Sequence, residues 1–172
     1  MAEKLAKFVV GLFGSITAVW WGKYLVMFII SLMPILELRG GLIAASLMDA
    51  PMVTSFIVCF IGNIIPIPFI LWFITEIFDF MKRKSPKLAK IVDKMEKKAD
   101  KQKEQIERLK YLGLMLFVGI PLPGTGAWTG CLIAALLGMD KKKSCIAAIL
   151  GVILAGIIML IFSYGILGGI IR

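Results

Sequence analysis

The sequence predicts an all-α integral membrane protein in which a re-entrant hairpin followed by a transmembrane helix occurs twice, in inverted orientation. Three observations carry this expectation. Long apolar runs lie at residues 53–73 and 146–171. Two further apolar segments are broken at their centres by Pro and Gly. Lys and Arg are distributed very unevenly between the loops. The chain of 172 residues is 59% hydrophobic with a mean hydropathy of +0.91, above the roughly half expected of a soluble domain. Runs of about 18 or more apolar residues with few charges read as membrane spans.

The expected organisation is a single membrane domain over residues 1–172: an N-terminal helix and first repeat (1–80), a basic cytoplasmic helix (81–110) and a second repeat (111–172). The N-terminal helix, residues 5–21, ends in Trp20 and Trp21, with Tyr24 just beyond. These rings suit a membrane interface, and at about 17 residues the segment is long enough either to span or to lie on the surface. No small-residue cleavage site follows it, so it reads as a retained helix.

Residues 25–48 are apolar but contain Pro34, Glu37, Arg39, Gly40 and Gly41. Pro removes a backbone donor and Gly weakens a helix. Irregular backbone survives at membrane depth only where protein or water covers it. Residues 51–80 are long enough to span, with Pro51 suited to a first turn and Asn63, Pro66 and Pro68 interrupting the middle. Residues 85–112 begin with Ser85-Pro86, an N-cap followed by Pro at the first helical position. Leu88, Val92, Met95, Ala99, Gln102, Ile106 and Leu109 then recur at heptad spacing. That makes a basic amphipathic helix for a membrane surface, the transmembrane core or a partner copy. Residues 111–139 are again apolar and broken, at Pro121, Pro123, Gly124, Thr125 and Gly126, with Trp128 close behind. The last span is Gly-rich, residues 144–171.

Gly40-Gly41-Leu42-Ile43-Ala44-Ala45 resembles Gly130-Cys131-Leu132-Ile133-Ala134-Ala135, and Asp49 and Asp140 follow. Charge gives the repeat its direction. If residues 111–139 crossed the membrane, the basic stretches 82–110 and 141–143 would face opposite sides, against the positive-inside rule. If both broken segments enter and return, seventeen of the 20 Lys and Arg face the cytoplasm. Only Lys23 and Arg172 lie outside, and Arg39 is in the membrane. The halves then point oppositely, the plan of many secondary transporters. Residues 81–110 and 140–143 are expected on the cytoplasmic side of a prokaryotic cytoplasmic membrane.

The net charge of +9 is accounted for by topology and anionic headgroups. Residues 82–110 lack the aromatics a nucleic-acid module would interleave. Cys59, Cys131 and Cys145 stand alone, with no CxxC spacing, so no metal site or disulfide framework is indicated. With no His, there is no Ser-His or Cys-His pair. An intramembrane enzyme is therefore not expected, nor is a cofactor.

Glu37 and Arg39 are the only charges deep in an apolar segment, and ionisable groups there are usually functional. Glu37 could take up and release a proton or join Arg39 in a structural ion pair. Arg39 could hold an anionic group bidentately. The stretch 121–126 brings backbone instead: Gly124 and Gly126 permit close approach, Thr125 a hydroxyl, and a helix starting near Ala127 would aim amides at the tip. Residues 124–126 alone are not a P-loop. Asn63 needs a partner in hydrocarbon and fits either helix packing or a cavity wall.

On the motif from Pro34 through Glu37 and Arg39 to Gly41, and that from Pro121 to Gly130, the chain resembles the putative small multidrug export protein family, over nearly its whole length. The layout is also distantly similar to the DedA family, where the resemblance would match Glu37 and Arg39 to a charged hairpin pair. The second hairpin departs from that pattern, having neither acid nor Arg. The resemblance implies transport; with the residue pattern, the expectation is a small secondary transporter or exporter with its substrate site between the two hairpin tips, in which Glu37 could couple transport to protons. The alternatives are a lipid-phosphate flippase of DedA type and a non-transporting membrane scaffold. Expected partners are membrane lipids, a small-molecule or lipid substrate, and a second copy in a homodimer.

Overall fold

The structure is a computed structural model that describes residues 11, 21–100, 106, 108–122 and 124–167. The expected N-terminal helix at 5–21 lies almost wholly outside the described residues. Among them, helix is the only regular structure. In chain order the helices are α1 (Gly22–Leu32), α2 (Glu37–Leu47), α3 (Met52–Ile64), α4 (Pro66–Lys84), α5 (Pro86–Asp100), α6 (Lys110–Gly119), α7 (Ala127–Leu136) and α8 (Lys141–Leu160). A π-helical stretch, Ile161–Leu167, continues α8.

Helices α3 and α4 form one apolar rod, Met52–Lys84, and α8 with its π-helical extension forms another, Lys141–Gly165; both are long and apolar enough to cross a membrane. The interruption expected at Pro66 does not end the first rod. Ile65 keeps helical angles, φ −51° and ψ −46°. The two prolines delete only the donors that would serve the carbonyls of Gly62 and Ile64, so the chain runs on.

The described residues fall into two compact units. Unit 1 comprises residues up to Ile65 together with the chain from Val152 onward; unit 2 is Pro66–Gly151. Each unit therefore holds one pair of short helices, half of the first rod and half of the second.

In unit 1, α1, α2 and α3 pack on one another, and the π-helical stretch packs on α2. Small residues set these approaches. A Cβ at Gly41 would collide with Ser31 Oγ and lie 2.7 Å from Cys59 Sγ. A Cβ at Gly40 would sit 2.7 Å from Leu36 Cβ. Close backbone approach through small residues is how helices associate where lipid removes the hydrophobic drive. The core there is Val26, Met27, Ile30, Leu38 and Leu42. Lys23 Nζ donates to the Met48 carbonyl at 2.7 Å, fastening the start of α1 to the end of α2. Ser46 donates to Ser163 O at 2.8 Å, and Tyr164 Oη to Ala50 O at 3.0 Å, so the π-helical stretch holds the same end.

In unit 2, α7 packs on α4, α5 and α6. Gly130 brings α7 onto Leu114 and Val118 of α6. Helix α5 folds back on α4, tied by Lys82 to Glu96 at 2.8 Å and to Asp93 at 3.7 Å. Val92 is its fully buried anchor.

The ends of α2 and α7 are closed alike. Ala50 N donates to Ala45 O past Asp49 at φ +49°, and Met139 N donates to Ala134 O past Gly138 at φ +62°. This is a left-handed helix cap.

Two glycines can be separated experimentally. A Cβ at Gly151 would lie 2.7 Å from both Met115 O and Val118 Cβ, so Gly151→Ala should destabilise by about 1–3 kcal/mol through overpacking. Gly138 has open space but positive φ, so Gly138→Ala should cost about 1–2 kcal/mol and Gly138→Asn much less, since Asn tolerates the left-handed region. Thermal unfolding in detergent should show Asn rescuing position 138 and worsening position 151.

Candidate functional site

The residues singled out from the sequence divide between the two units. Unit 1 holds Pro34, Glu37, Arg39, Gly40 and Asn63; unit 2 holds Pro121, Gly124, Thr125, Gly126 and Trp128. Pro123 lies outside the described residues.

In unit 1 the break covers only residues 33–36, with Pro34 and Ile35 exposed at its turn. Glu37 N donates to Met33 O at 3.0 Å and Gly40 N to Leu36 O at 2.8 Å, so the chain is already helical by the charged pair. Glu37 and Arg39 thus stand in the first turn of α2, and the unwound stretch that would have brought them side by side ends just before them. Glu37 is buried, 6% exposed, and carries φ +50°. A non-glycine residue in that region is uncommon and costs of order 1–3 kcal/mol, a strain found most often at functional positions. Its carboxylate lies at the positive end of the helix dipole, which favours an anion there. Arg39 is half-buried and interacts electrostatically with Glu37. Such a pair offers a carboxyl able to exchange a proton or hold a cation, and a guanidinium able to hold an anion.

Asn63, on α3, is 2% exposed, and its Oδ1 has no hydrogen-bond partner among the described residues. A buried acceptor of that kind is uncommon. Gly40, by contrast, is fully explained by the tight packing against Leu36 and Ile30.

In unit 2 the break spans residues 120–126. Thr125 Oγ1 lies 3.0 Å from Ile120 O and 2.9 Å from Leu122 O, and it accepts from Leu122 N at 3.2 Å. The hydroxyl is therefore engaged in closing the loop. Gly124 (φ +86°) and Gly126 (φ +152°) supply the positive φ values that reverse the chain. Helix α7 starts at Ala127, as expected, with no side-chain cap on its first turn. Trp128 is half-buried in that turn. The described residues contain no group of three potential metal ligands.

The two halves match beyond the motif first noticed. Lys23-Tyr24-Leu25, with Pro34 eleven residues after the Lys, is repeated by Lys110-Tyr111-Leu112 with Pro121 at the same spacing. Positive φ opens the second short helix of each half, at Glu37 and Gly126. Gly62 and Gly151 each face a backbone carbonyl and, three residues further on, a Cβ: Phe28 and Ser31 in one case, Met115 and Val118 in the other. Glu37 with Gly126, Met52 with Lys141 and Gly62 with Gly151 are all 89 residues apart. The Lys-Tyr-Leu repeat was readable in the letters.

Compared with known protein families, residues 37–158 match the one described as "Putative small multi-drug export protein". The chain belongs to that family. The matched range begins at Glu37 and takes in both loops' second helices, the first rod and most of the second. For a small multi-drug export protein the span-length apolar rods are as expected, and the chain is a membrane transport protein. No curated protein and no solved structure matches it. The family match does not extend to the DedA family.

Replacing the Thr125 hydroxyl tests whether it closes the loop. Thr125→Val should lower the unfolding free energy by about 0.5–1.5 kcal/mol, because two carbonyls and an amide lose their partner in the protein. Thr125→Ser should stay within a few tenths of wild type. Chemical denaturation in detergent checks the pair.

Proposed function

We propose that the chain is a small secondary exporter in which Glu37 carries the coupling proton and the substrate passes between the two broken segments. The observation that carries this reading is a buried carboxyl in a strained turn, with a guanidinium two residues on, in an otherwise apolar part of a transport-family chain. Burying ionisable groups in an apolar segment is costly, and such groups mark substrate or ion paths.

Helix length supports re-entry. Helices α1 and α2 have 11 residues and α6 and α7 have 10. At 1.5 Å per residue that is roughly 15–16 Å, half of the ~30 Å hydrocarbon core. Each pair would enter to the midplane and return on the same side. The matched features of the two halves support duplication, and the Lys/Arg count supports opposite orientation. In this reading Glu37 and Arg39 bring charge to the path, the 121–126 segment brings backbone amides and shape, and Asn63 contributes a wall.

The test is purified protein in liposomes with an imposed pH gradient and a fluorescent organic cation inside or outside. Wild type should couple cation flux to the gradient. Glu37→Gln should lose at least about tenfold of the gradient-driven flux, a loss of more than 1.4 kcal/mol in driving the step. Equal flux in wild type and Glu37→Gln would remove Glu37 from the coupling mechanism.

A further inference from the structure

Unit 2 carries a groove that reaches the 121–126 segment of the proposed path from the other end of α6. It runs along one face of α6 past Leu109, Gly113, Leu116 and Ile120, and ends at Leu122 and Thr125. The spacings of four, three and four place these residues on one helical stripe. The groove encloses about 140 Å³. Its walls are apolar except at Thr125, whose hydroxyl is already bonded to Ile120 and Leu122. Leu109, Ile120 and Leu122 remain 50%, 42% and 54% exposed.

The end at Leu109 is basic. Arg108 and Lys110, on either side of it, are both exposed. At the same end of α6, Lys143 Nζ lies 5.9 Å from the centroid of the Tyr111 ring. Asp140 Oδ1 accepts from Lys143 N at 2.8 Å and caps α8.

We propose that this groove is a binding site for an anionic phospholipid, with one acyl chain along α6 and the headgroup on Arg108 and Lys110. The chemistry selects that occupant. Apolar walls would not hold a free phosphate or a soluble anion. A second copy seated there would bring like charges together at its mouth. An amphiphile with an anionic head and an apolar tail satisfies both ends, as basic pockets on the cytoplasmic side of membrane proteins do. This site stands whether or not the exported substrate is itself a lipid.

The experiment uses full-length protein with Cys59, Cys131 and Cys145 replaced by alanine. A bimane label goes on Leu122→Cys at the inner end of the groove, or on Phe69→Cys, a 61% exposed position of α4. Nanodiscs contain phosphatidylcholine with increasing shares of phosphatidylglycerol, and either lipid is brominated on its acyl chains. Brominated phosphatidylglycerol should quench the label at 122 at least about threefold more effectively, per lipid, than brominated phosphatidylcholine. At 69 the two lipids should quench alike. Arg108→Gln with Lys110→Gln, both at exposed positions, should abolish the preference at 122. Equal quenching by the two lipids at 122, or a preference that survives the double substitution, would overturn the proposal.

Discussion

Breaking a helix within an apolar segment leaves backbone groups that hydrocarbon cannot satisfy, and both halves of this chain are organised around covering such a break. In unit 1 the break is short because α2 restarts at once. The amides of Glu37 and Gly40 find the carbonyls of Met33 and Leu36, at the cost of a left-handed Glu37. In unit 2 the break is longer, and one threonine hydroxyl serves two carbonyls and an amide. The glycines follow from the same need. Gly41, Gly62, Gly130 and Gly151 let neighbouring helices lie close enough to shield the short ones.

That economy bears on function. A charged residue in the first turn after a break has its backbone fixed by the turn, so Glu37 is held more firmly than it would be on an unwound loop. Arg39 occupies the same turn, and the two charges belong to one rigid element. The second loop carries no charge, and its one hydroxyl is engaged in structure. On the proposed function the supply to the path is uneven: ionisable groups from one half, backbone and a Trp from the other. An inverted repeat that has specialised its two loops would look like this.

Much of this was legible in the letters, for identifiable reasons. Pro34 and the 121–126 stretch announce breaks because Pro and Gly act locally, and Ala127 was readable as a helix start for the same reason. The behaviour of Pro66 was not. A Pro within a long apolar helix removes a donor whether the helix stops or continues, and only packing decides which. Glu37 and Arg39 were found as charges out of place, but their position on α2 depends on two backbone bonds that no composition reveals. The Lys-Tyr-Leu repeat was present in the sequence, hidden because its aromatic and basic residues read first as interface anchors. The division of both long rods between two compact units depends on contacts between residues far apart in sequence.

The central claim is that the two broken segments return to the side they came from and do so from opposite faces. Asp49 and Asp140, exposed residues just after α2 and α7, report this directly. Single cysteines at these positions, in a chain free of native cysteine, can be labelled in intact cells and in inverted vesicles with a reagent that does not cross the membrane. Re-entry predicts that 49 reacts only from outside and 140 only from inside. Labelling of both from the same face would contradict it.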